Sequence, residues 1–145
     1  MDERLTGNKV LSGNYGIVWL NNQKIIELKS IEVKVEAERE DVQLGLSVDS
    51  KIKALKGTGK IEVKKVYTRA NEILKDWIKG KDTRARITTS LQDPDSINGG
   101  EERVSIDNVW FNSLDIAKFT RGEVLGEEFP FGFTPEDVEF ENEIK

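Results

Sequence analysis

Neither cysteine nor histidine occurs anywhere in the chain. Without cysteine there is no disulfide and no thiol chemistry. Without histidine the commonest general base is gone, and the two absences together remove the usual zinc and transition-metal ligands. Long apolar runs are missing too. No stretch approaches membrane-spanning length, and Met1-Asp2-Glu3-Arg4-Leu5-Thr6-Gly7 lacks the apolar core of a secretion signal. A soluble product made in the cytoplasm is therefore expected. An excess of basic charge is also absent: 27 acidic against 22 basic residues leave a net charge of -5. That balance argues against a protein that grips nucleic acid by neutralising phosphates over a basic face.

What is present is alternation. Ile31, Val33, Val35 and Ala37 interleave with Glu32, Lys34, Glu36 and Glu38, the period-two pattern of a strand buried on one face. Gly59-Lys60-Ile61-Glu62-Val63-Lys64 repeats the pattern. Between the two lies 39–56, much longer than a hairpin turn needs, and it is read as an extended arm. Val42, Leu44, Leu46 and Val48 alternate along it, followed by Ile52 and Leu55. An arm of this kind cannot bury such an apolar face against itself.

The other elements follow from similar cues. The 145 residues fit a single domain, 1–145. Residues 1–14 read as a flexible N-terminal arm. Tyr15 to Leu20 and Lys24 to Leu28 read as strands about an Asn21-Asn22-Gln23 turn. Helical spacing occurs once: Ala70, Ile73, Leu74, Trp77 and Ile78 predict a helix over about 68–79, capped by Thr68 and stopped before Gly80. Ile73, Leu74 and Trp77 are its core anchors. Strand patterns return over Arg84–Leu91, Val104–Phe111, Leu114–Phe119 and Glu128–Phe133, where Phe129, Phe131 and Phe133 share a face and Pro130 argues for an edge or a bulge. Trp19 and Trp110 stand in apolar alternation and read as core. The acidic tail, 136–145, reads as loose. The expected fold is mainly β: an antiparallel β-sandwich or open barrel of about seven strands with one flanking α-helix.

No stretch nominates an enzyme. Asp93 and Asp95 have calcium-loop spacing, but Ile97 and Asn98 occupy the next ligand and turn positions. Gly57-Thr58-Gly59-Lys60 lacks the leading glycine and trailing hydroxyl of a phosphate loop, and reads as a kink at a strand start. Glu101 with Glu102, and Glu127 with Glu128, are paired carboxylates, yet neighbours on a strand point to opposite faces. Solvated strand-edge charge accounts for them. No cofactor and no metal is expected.

Four segments in order carry a resemblance: Ser12 to Leu20, Gly57 to Lys60, Glu102 to Phe111 and Glu127 to Phe133. They resemble the tail tube proteins of contractile phage tails, of the type found in the Bacillus prophage PBSX, in other Gram-positive phages and in R-type bacteriocins. The resemblance spans nearly the whole chain and rests on co-linearity, since none of the segments is a catalytic motif. It implies hexameric rings stacked into a hollow tube. Inner sheets would join into one barrel around the lumen, with the arm and termini reaching adjacent subunits. It also implies sheath, tape-measure and baseplate partners, and a place in a virion tail or tail-like particle assembled in the bacterial cytoplasm. On that model Glu32, Lys34, Glu36, Glu38, Lys60, Glu62 and Lys64 line a mixed wall past which DNA travels without specific binding. Val42, Leu44, Leu46, Val48, Ile52 and Leu55 form the inter-subunit arm. The alternative is a monomeric β-sandwich module for a glycan or small ligand, using Tyr15, Trp19 or Trp110 as platforms.

Overall fold

The computed structural model describes residues 7, 13–92 and 100–144. Eight strands and one helix follow one another as β1 (Gly16–Leu20), β2 (Gln23–Lys24), β3 (Leu28–Leu44), β4 (Ser47–Lys64), α1 (Asn71–Ile78), β5 (Ala85–Leu91), β6 (Glu102–Phe111), β7 (Gly126–Phe133) and β8 (Val138–Asn142). They form one antiparallel sheet in the order β2-β1-β5-β6-β7-β4-β3, with β8 also on β6, and it does not close. The sheet doubles over at β6. That strand pairs with β5 and β8 through its first part, and with β7 only at Trp110 and Phe111. At the corner two steps along β5 face three along β6, and Asn108 takes a φ of 54°, a left-handed conformation that asparagine tolerates better than most residues.

The core lies between the two halves of the doubled sheet. Val18, Ile87 and Ile106 come from one half, and Ile61, Phe129, Phe131 and Phe133 from the other. Phe111 meets Phe129 and Phe131 edge to face, with centroids 6.2 and 6.4 Å apart, an arrangement favoured by the ring quadrupoles. Gly57 and Gly59 sit beneath Phe133 and Phe131: a Cβ on Gly59 would stand 2.5 Å from the Phe131 ring. They lie within β4 because the rings need the space, which replaces the expected kink at a strand start.

The helix starts later than its spacing predicts. Ala70 occupies the N-cap position without a side-chain cap, and Thr68 contributes only its carbonyl, to the Asn71 N–H at 3.3 Å. Gly80, at φ 84°, donates its N–H to the Trp77 carbonyl and ends the helix. Ile73 is buried, with Leu74 and Trp77 packed half-buried on the core. The segment leading into α1 is tied down by two buried carboxylates: Arg69 Nε donates to Glu27 Oε1, and Lys65 Nζ to Glu127 Oε2, each at 2.7 Å. Glu127 is thus an interior ion-pair partner and not a solvated edge charge, while Glu128 on the opposite face is exposed.

Other expectations change as well. Leu114–Phe119 is not a strand; it belongs to an irregular connection in which Leu114 packs on the core while Ile116 and Phe119 are exposed. Of the segment Lys24–Leu28 only Lys24 joins the first hairpin, as the end of β2, and the turn residues Asn21 and Asn22 both have positive φ, the two-residue geometry suited to strand twist. The acidic tail is not loose: its residues 138–142 form β8, tied to β6 through Glu141, which accepts from Ser105 Oγ at 2.6 Å and Arg103 Nε at 2.8 Å. Nearly all of the expected arm 1–14, and the Asp93 to Gly99 loop, lie outside the described residues.

Candidate assembly surface

β3 and β4, of 17 and 18 residues, form one continuous hairpin. The segment 39–56 is therefore not a separate connection but the outer part of that hairpin, reversed at Gly45-Leu46 between the partners Leu44 and Ser47. Gly45 has φ 63° and Leu46 does not share it, the pattern of a type II′ turn. β4 pairs with β7 only from Gly57 to Lys64. Beyond Gly57 the hairpin is a two-stranded ribbon with every residue exposed, about 30 Å long at the usual rise per residue. A ribbon this thin is marginal in water unless something packs on it.

Pairing register decides which way its side chains face. Val42 pairs with Asp49, Gln43 with Val48, and Arg39 with Ile52. Val42 and Leu44 therefore share one face, and Val48 and Ile52 the other; Leu46 caps the turn, fully exposed. The expected single apolar face for Val42, Leu44, Leu46 and Val48 does not form, because a two-residue turn pairs even positions with odd ones. Leu55, opposite Ala37, joins Val48 and Ile52 on the face that continues the core side of β3, with Val33 and Val35. These residues are 37% to 67% exposed.

The opposite face of β3, β4 and β7 is charged. Glu32 pairs with Lys60, Glu36 with Lys56, and Glu62 with Glu128, so Glu32, Lys34, Glu36, Glu38, Lys60, Glu62 and Lys64 lie on one face. Up to the Glu38–Ala54 pair, register adds Lys56 and Glu128 to it, giving five carboxylates against four lysines; further along the ribbon the Glu40–Lys51 pair lies on the same face. Lys34 bridges to Glu36 and Lys60 to Glu62, both at 3.1 Å. The hydrogen bond from Lys60 holds the Glu62 carboxyl below its usual range, helped by Ser30, and the same bond raises Lys60.

Trp110 and Trp19 are not core residues. Trp110 pairs with Gly132 and its ring covers that glycine on the charged face, where a Cβ would lie 2.7 Å from the indole. Arg84 stacks over Trp110 at 5.0 Å and Arg103 over Trp19 at 5.1 Å. One face of each indole is thus covered by a guanidinium group of the chain itself, and Tyr15 is left as the exposed ring of the three. Lastly, among the described residues β3 is bonded only to β4, which leaves its outer edge unpaired. Free edges of this length template pairing with another chain. Among the described residues no cluster of three metal-ligating side chains occurs, and no helix is long and apolar enough to cross a membrane.

A family model described as phage tail tube protein matches residues 3–141. The phage-like element PBSX protein XkdM of Bacillus subtilis (strain 168) is 30% identical over 138 residues, covering 92% of this chain and 93% of that one. Among solved structures, the PVC sheath-tube complex of an extracellular contractile injection system superposes with a TM-score of 0.68 at 14% identity, covering 94% of this chain and 95% of the other. The cap of the anti-feeding prophage gives 0.67 at 12% identity over 97% of each chain. The tail of an empty gene transfer agent particle, computed with C6 symmetry, gives 0.54 at 14% identity over 94% and 98%.

Proposed function

The chain belongs to the phage tail tube protein family, a structural and not an enzymatic family, and from that premise we propose how it builds a tube. Subunits join side by side through the free edge of β3 into hexameric rings, the order in which the gene transfer agent tail was computed. The charged face of β3, β4 and β7 turns to the lumen, and the exposed ribbon of 39–56 packs on the adjacent ring. The single observation that carries this reading is the long β3 edge, unpaired among the described residues, continuing into a ribbon with no partner among them. Ring closure removes the edge, and stacking covers Val48, Ile52 and Leu55.

The tube passes DNA or an effector in a virion tail or tail-like particle assembled in the bacterial cytoplasm, with sheath outside, tape-measure protein within and a baseplate at one end. Sheath and baseplate assemblies among the structural neighbours support those partners. Negative-stain microscopy of the concentrated protein tests the proposal. Rings or tubes are expected; a strict monomer at every concentration would instead favour a ligand-binding module.

A further inference from the structure

A ring of identical subunits is closed by two different borders of one subunit, presented on the same sheet. The half of the sheet that carries the charged face has two lateral borders. One is the outer edge of β3. The other is the end of β6, where Trp110 is bonded to β7 on one side. Its other side is bare of strand, because the β5 ladder ends at the Ala85–Val109 pair. Arg84, one residue beyond that end, lies over the Trp110 ring.

The two borders differ in charge on their shared face. Along β3 stand Glu32, Glu36, Glu38 and Glu40 with a single lysine, Lys34, already bridged to Glu36. Among the described residues Glu32, Glu38 and Glu40 form no salt bridge. At the opposite border Arg84 is 43% exposed and, among the described residues, bonded only to the surface carboxylate of Asp82, at 2.9 Å. Stacking on an indole holds a guanidinium flat while leaving its N–H edge open to a carboxylate.

We propose that ring closure seats the β3 border of one subunit against the Trp110 border of the next, with Arg84 of the latter receiving the unbridged carboxylate of Glu32 of the former. Trp110 positions the guanidinium and shields the contact from water. The inference rests on the tube reading and adds the specific pair of borders to it.

Charge exchange tests it, with sedimentation velocity and microscopy reading assembly and the melting temperature of the monomer reading the fold. Arg84→Glu is expected to cut the polymerised fraction at least tenfold with the melting temperature unchanged, and Trp110→Ala to weaken assembly in the same direction. Glu32→Lys should block assembly alone, and should restore it when combined with Arg84→Glu. If wild type assembles and Arg84→Glu assembles equally well, or the combined variant stays monomeric, this border pairing is wrong while the tube reading stands. If wild type never assembles, both fall.

Discussion

Single residues show how distant neighbours set local requirements. Gly59 is glycine because of Phe131, which lies far along the chain and directly across the β4–β7 ladder. Gly59→Ala should destabilise the monomer by about 1–3 kcal/mol, the usual cost of overpacking a filled core; chemical denaturation with an unchanged m-value checks it. Glu141 makes a second case. Hydrogen bonds from Ser105 and Arg103 hold its carboxyl below the usual carboxylate range. A group depressed on folding stabilises above its unfolded pKa of about 4.3, and that stabilisation is lost as pH falls through the lower folded value. Glu141→Gln should therefore lower the denaturation midpoint at pH 7, and the gap from wild type should close towards pH 2. A gap that persists undiminished in acid would show that the carboxylate charge is not what holds β8. Neither role was legible in the sequence: the glycines read as a kink and Glu141 as one charge in a loose tail, because both depend on partners brought in by the sheet.

At the scale of elements, legibility followed periodicity. The alternation from Ile31 to Ala37 located β3, and the spacing of Ile73, Leu74 and Trp77 located α1, since each pattern repeats within its own segment. The ribbon was harder. Its alternation was plain, but whether Val42 and Val48 share a face depends on the two-residue turn, which period two alone does not reveal. Trp19 and Trp110 alternate like core residues yet lie outside, under Arg103 and Arg84. The ribbon also allows a clean separation of folding from assembly. Glu38 and Ala54 are register partners, so replacing 39–53 with Asn-Gly closes the hairpin with a two-residue turn. Monomer stability should change by less than about 1 kcal/mol, because an unsupported ribbon is marginal, while tube formation is abolished. Loss of the folded monomer would place the ribbon in the folding unit.

For the whole molecule, charge is the deciding quantity. Up to the Glu38–Ala54 pair, five carboxylates and four lysines on the proposed lumen face, two of the lysines bridged within the chain, give a nearly balanced wall. Duplex DNA depends on clustered cations for sequence-independent binding, and that binding falls steeply with salt. Assembled tubes should leave duplex DNA unretained on nitrocellulose at moderate ionic strength; salt-sensitive retention would reveal a basic surface along the bore.

The ribbon and α1 lie at opposite ends of the β4–β7 ladder: the ribbon leaves at Gly57, whereas α1 packs by Ala70 and Ile73 near Phe129, towards the Lys64 end. Subunits added in one orientation therefore make a filament with a direction. In a tube stacked as proposed, one terminus would present bare ribbons and the other the α1 side, and growth rates at the two termini are expected to differ.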